Sequence, residues 1–230
     1  AKVLTFLGIY KLFCMFFVFY LHTCIFFCTF AAWKEWFNPK SKLGTMLEAF
    51  RKTHDYLVEH VQVPARRVLQ DEINWSDRLI AIKGGRGVGK TDFLLNYVKE
   101  QRRLNPDESR HTLYVNFNDF YFTEHSLLEL AGQFVAAGGK TLLVDQAFKD
   151  PNWSHELAQC YYRYPNLQII FIASAVMRLV EDNKDIGSIV HPYNLRGYSF
   201  REYLNITLGL KLPVYSLEDI LKHHVEIAQK

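Results

Sequence analysis

The chain has 230 residues, 49% hydrophobic and 22% charged, with a formal charge of +3; this describes a folded domain of ordinary size with an appendage and excludes a disordered or fibrous chain. The charge is too small and scattered to mark a nucleic-acid binder, since Arg66-Arg67 and Arg102-Arg103 are isolated pairs that read as solvated surface. Cys14, Cys24, Cys28 and Cys160 show no C-x-x-C spacing, which argues against a disulfide framework or zinc site and for a reducing, cytosolic setting.

Residues 1–45 read as a separate segment. From Leu12 to Trp33 there is no formal charge, and only His22 and Thr23 interrupt the apolar run; that length suffices to span a bilayer. Lys11 precedes the run and Lys34, Lys40 and Lys42 follow it, so the positive-inside rule places the following domain in the cytosol. One expectation is therefore an inner-membrane anchor through residues 12–33. The run's richness in Phe and Cys, and the lack of Met at position 1, support another: translated upstream sequence ahead of a start at Met46. A buried core helix is a third reading. No A-x-A-like site marks a cleaved signal peptide.

Residues 46–230 read as one domain. Leu47, Phe50, Leu57, Val58 and Val61 fall near helical spacing and predict an amphipathic helix that ends before Pro64. A strand follows at Arg78 to Lys83, then a Gly-rich turn and a helix over "KTDFLLNYVKEQRR". "HTLYVNF" predicts a second strand, "EHSLLELAGQFVAAGGK" a helix closed by Gly138-Gly139, and "TLLVD" a third strand. "WSHELAQCYYRY" predicts a helix and "LQIIFIAS" a fourth strand. Further on, "IVHPYNL" predicts an edge strand, "SFREYL" a short helix, and "SLEDILKHHVEIAQ" a helix opened by Ser216 with Asp219 three places on. Strands that alternate with helices and are apolar nearly throughout predict an α/β fold of three layers, αβα, around a parallel central sheet.

"GGRGVGKT", residues 84 to 91, fits G-x-x-x-x-G-K-[ST] between a predicted strand and helix. Glycines let the backbone curl so that successive N–H groups point at phosphate oxygens, and the next helix presents its positive end to the same anion. Gly84, Gly85, Arg86, Gly87, Val88, Gly89, Lys90, Thr91 and Asp92 are thus candidates for binding ATP, Lys90 at the β- and γ-phosphates and the Thr91 hydroxyl on Mg²⁺. Asp145, ending the third strand, is the second candidate Mg²⁺ ligand. Ser174, ending the fourth, is a candidate for touching the γ-phosphate or attacking water; capping a helix over "AVMRLVE" is the competing reading. His223-His224 is read as solvated surface, because adjacent residues on a helix face different ways.

"DRLIAIKGGRGVGKT", "LYVNFNDFYFTEHSLLELA", "LLVDQAFKDPNWSHELAQCY" and "YNLRGYSFREYL" together resemble bacterial AAA-type ATP-binding proteins of the AAA+ superfamily, in which a P-loop ATPase core precedes a winged-helix and nuclease-like region. The resemblance covers about Met46 to Lys230. It implies ATP rather than GTP, an αβα core, and Ser174 at the sensor position. It also implies a further C-terminal region, with the domain at 46–230 expected to be C-terminally truncated and DNA expected to be bound only through that missing region.

Two departures bear on catalysis. Gln146 stands where the commoner form has the glutamate that polarises water, and "DIGSIVHP" lacks the arginine pair of many relatives, leaving Arg178 and Arg196 as the nearest. An amide cannot take a proton, and general-base help is worth about 10² to 10⁴ in rate, although glutamine can still orient water. The expectation is Mg-ATP binding with slow hydrolysis, catalytic candidates Lys90, Gln146 and Ser174, and turnover raised by self-association or an unknown protein partner. The competing readings are a faster ATPase motor, a nucleotide-gated interaction module and a DNA-associated regulator.

Overall fold

The computed structural model describes residues 39–228. Five strands, β1 (Leu79–Gly84), β2 (Thr112–Asn116), β3 (Thr141–Asp145), β4 (Gln168–Ser174) and β5 (His191–Asn194), form one sheet in the order β2-β3-β4-β1-β5. Every pairing is parallel, so all the carboxyl ends lie along one edge. The helices are α1 (Pro39–His60), α2 (Leu69–Glu72), α3 (Lys90–Leu104), α4 (Pro106–Ser109), α5 (Leu127–Ala136), α6 (Trp153–Arg163), α7 (Phe200–Leu208) and α8 (Leu217–Ala228). The sheet and its site belong to the unit that begins at Phe50. The apolar run at residues 12–33 lies outside the described residues; among those described, no helix is long and apolar enough to cross a membrane.

β1 to β4 are apolar on both sides because both sides are covered. Alternate residues Ile80, Ile82, Tyr114, Leu143, Ile170 and Ile172 form one cluster with Val58 and Val61 and with Phe93, Leu94, Leu95 and Val98 of α3. The intervening residues, among them Ala81, Val115, Leu142 and Phe171, are equally buried and point the other way, as a two-residue period requires. There the Trp153 ring of α6 lies 5.9 Å from Phe171. The edge strand β5 is exposed along most of its length.

Local signals set the helix ends. The Ser126 hydroxyl accepts the Glu129 N–H to open α5; Gly138 closes it at φ +85°, its N–H and that of Gly139 returning to Val135 and Phe134 carbonyls. Ser199 and Glu202 form a reciprocal capping box on α7. Ser216 donates to Asp219 at the start of α8. The helix expected after Ser216 forms, with a kink at His223. One expectation fails: "AVMRLVE" forms turns instead of a helix. In that segment only Leu179 reaches the core, while Val176 and Val180 face solvent, so a helix there gains too little burial to offset its ordering. Ser174 therefore caps no helix.

Candidate active site

β1 ends at Gly84, which pairs with Ser174 of β4. Beyond β5, the Leu195 N–H continues the ladder onto the Lys83 carbonyl. That contact brings the Leu195 carbonyl so close that a Cβ on Gly84 would sit 2.5 Å from it; only glycine fits. Gly87 and Gly89 hold φ of +80° and +83°, where a side chain is strained. Gly85, by contrast, has room for a side chain. Gly89 is the N-cap of α3 and offers no side-chain acceptor, so first-turn N–H groups of this 15-residue helix remain free to meet an anion. Gly85, Arg86 and Gly87 are exposed, Val88 is half-buried, and Asp92 is exposed in the first helical turn.

The Lys90 ammonium donates to the carbonyls of Gly84 at 3.0 Å and Gly85 at 2.7 Å. Burial draws its pKa down, and the Asp145 carboxylate opposes that. Next in sequence, the Thr91 hydroxyl donates to Asp145 Oδ2 at 2.8 Å, and the Tyr114 hydroxyl donates to the same oxygen at 2.9 Å. Asn116 Nδ2 donates in turn to Tyr114 Oη at 3.3 Å. Asp145 is 3% exposed. Burial first, then the adjacent Asp145 charge, raises the Tyr114 phenol, so it stays a donor at any ordinary pH. A hydroxyl and a carboxylate are the hard oxygen donors that Mg²⁺ takes beside phosphate and water. Among the described residues no group of three or more His, Cys, Asp or Glu is placed to hold a metal.

Gln146 stands directly after Asp145 at φ +59°, the only non-glycine residue with positive φ among those described. This left-handed conformation costs roughly 1–2 kcal/mol for an ordinary side chain. It turns the chain into a short 3₁₀ turn, Ala147–Lys149, with Ala147 buried and the Lys149 N–H on the Gln146 carbonyl. Ser174, half-buried, stands beside Gly84 at the same sheet edge. Arg178 and Arg196 are exposed.

One arginine was misread from the sequence. Arg66 is solvated, but Arg67 is 6% exposed. Its Nε donates to Glu202 Oε1 at 3.2 Å, and its terminal nitrogens donate to the carbonyls of Val88, Arg196 and Gly197. The guanidinium also lies 4.3 Å from the Tyr198 ring. Burial pushes the Glu202 carboxyl up, but hydrogen bonds from Ser199 and the Val68 N–H, with Arg67 beside it, outweigh that and hold it below the usual range. Arg67 thereby ties the glycine loop, through Val88, to the start of α7. Nothing local announces a pair 135 residues apart; the only trace is the S-x-x-E cap that fixes Glu202.

The family model described as "AAA domain" matches residues 76–204, more than half the chain. No curated protein matches it. Among solved structures, C. elegans PCH-2 is 17% identical over 64% of this chain and 43% of that one, at a TM-score of 0.40. The Aeropyrum pernix ORC2 protein, in ADPNP-ADP complexes, is 16% identical over 68% and 50%, at 0.39. Rhizobiales Trip13 is 17% identical over 67% and 60%, at 0.35. The chain spans about half the length of these structures, and likeness at this level carries no inference about activity.

Proposed function

The chain belongs to the AAA domain family, and on that premise we propose that it binds ATP with Mg²⁺ at the glycine loop and hydrolyses it slowly. An AAA-type domain is a nucleotide-binding domain. The observation that carries the finer reading is the 2.8 Å contact between Thr91 and Asp145, which joins the first turn of α3 to the end of β3 at the mouth of the loop.

The backbone N–H groups from Gly84 to Gly89 and the first turn of α3 cradle the phosphates. Lys90 exchanges the Gly84 and Gly85 carbonyls for the β- and γ-phosphates. Thr91 and Asp145 hold Mg²⁺, which, when bound, offsets the negative charge of the phosphates. Tyr114 fixes the Asp145 carboxylate in place by donating to it. Ser174, next to Gly84, meets the γ-phosphate or the attacking water. Gln146 orients that water through its amide but accepts no proton, which is the physical ground for slow turnover. Comparing ATP binding and turnover of the wild type with Lys90→Ala and Gln146→Glu tests the reading: binding that survives Lys90→Ala places the nucleotide elsewhere.

Gln146 equally supports a second reading, a nucleotide-gated interaction module in which ATP changes affinity for a protein partner or another copy of the chain. The discriminating measurement is whether turnover rises with protein concentration. A cytosolic setting fits a domain that uses ATP.

A further inference from the structure

At the end of the sheet opposite the glycine loop, where β2 begins, a cavity of about 380 Å³ is lined by Arg51, His54 and Asp55 of α1, Arg102 of α3, Arg110 and Thr112. Its chemistry is one-sided. His54 is 2% exposed, and its Nδ1 accepts the Tyr114 backbone N–H at 3.1 Å. An accepting Nδ1 leaves the ring hydrogen on Nε2. Burial first, then Arg102, lowers the pKa of this ring to about 4, so it is neutral at pH 7. Nε2 and Arg102 Nε are buried donors with no partner among the described residues, but both are shut off from solvent, so what a ligand in the cavity meets is the arginine side chains that line it.

Their charge sets what the cavity favours. Asp55 is paired with Arg102, while Arg51 donates to the Arg110 carbonyl and lies 5.9 Å from the Phe134 ring. With His54 neutral, three guanidinium groups face one carboxylate, an excess of two positive charges. Guanidinium groups match the oxygens of a phosphate in pairs. The volume falls in the lower part of the roughly 300–1,000 Å³ range of small-molecule sites. We propose that this cavity is a second anion site, separate from the glycine loop, which takes a phosphate group of a small molecule.

The test is calorimetric titration of the chain with inorganic pyrophosphate at constant ionic strength, in a Lys90→Ala background that weakens the glycine loop. The site requires saturable one-site binding by Lys90→Ala, weakened roughly ten-fold or more when Arg51→Gln and Arg110→Gln are added, because charge-assisted hydrogen bonds are lost. It also requires weaker binding of succinate, and a shift of the His54 Nε2 resonance in ¹⁵N-histidine-labelled chain on adding pyrophosphate. If the double arginine variant loses its fold by circular dichroism, Arg110→Gln alone serves, since Arg110 is exposed. Binding that vanishes with Lys90→Ala, is indifferent to the arginine changes, or is matched by succinate would overturn the proposal.

Discussion

At Gln146 the side chain and the backbone impose separate constraints. The amide cannot take a proton, whereas φ +59° selects for residues that tolerate the left-handed region. Asparagine visits that region readily and β-branched residues do not. Gln146→Val is therefore expected to be less stable than Gln146→Asn by about 1–2 kcal/mol, measured by urea denaturation; equal stability would contradict the backbone reading. His54 makes the second residue-scale prediction. Its folded pKa of about 4 lies below an unfolded value near 6.5, so the unfolded chain binds more protons between the two. The corresponding stability is full above pH 6.5 and falls as pH drops toward 4, by on the order of 3 kcal/mol. The charges facing the ring are Arg102, Asp55 and Arg51. His54→Asn keeps an acceptor for Tyr114 without the titration, so its acid loss should be shallower; an unchanged slope would show that His54 is not the titrating group. Lys90, Thr91 and Asp145 could be named from the sequence because a contiguous motif and an apolar strand ending in Asp are local patterns. Tyr114, Arg67 and His54 could not, since each is defined by a partner far along the chain.

The buried strut from Arg67 to Glu202 operates between elements. Removing one member leaves the other charge buried, which typically costs about 3–5 kcal/mol. Arg67→Met should lose stability on that scale and also weaken nucleotide binding, because the Val88 carbonyl in the loop loses a donor. Ser199→Ala, which removes the capping hydroxyl of α7, should cost about 1 kcal/mol and leave nucleotide affinity alone. Unchanged affinity in Arg67→Met would mean that the strut acts only on stability. The four buried strands were legible because a sheet covered on both sides demands unbroken apolar runs, and the capped start of α8 because Ser216 and Asp219 satisfy their own helix end. The turns after Ser174 and the kink at His223 were not, since both depend on which side chains find a place in the core.

For the whole molecule, strand order is what a single sequence leaves unwritten. With β1 between β4 and β5, Gly84 meets both Ser174 and the chain at Leu195, and the Leu195 carbonyl is why position 84 admits no side chain. Nucleotide binding acts on the fold as a unit. At Mg-ATP about 100-fold above Kd the folded state gains about 2.7 kcal/mol, roughly 5–10 °C in Tm for a chain of this size. EDTA should reduce that gain and Lys90→Ala should remove it; a Tm shift that persists in Lys90→Ala would move the site away from the loop.

The most direct measurement is the steady-state turnover of saturating Mg-ATP by the wild type and Gln146→Glu, after binding by both has been confirmed. Slow hydrolysis from a formed site predicts wild-type turnover well below about 1 s⁻¹, raised on the order of 10² by Gln146→Glu. A wild-type rate near about 1 s⁻¹, as expected of an enzyme with a complete site, would contradict it.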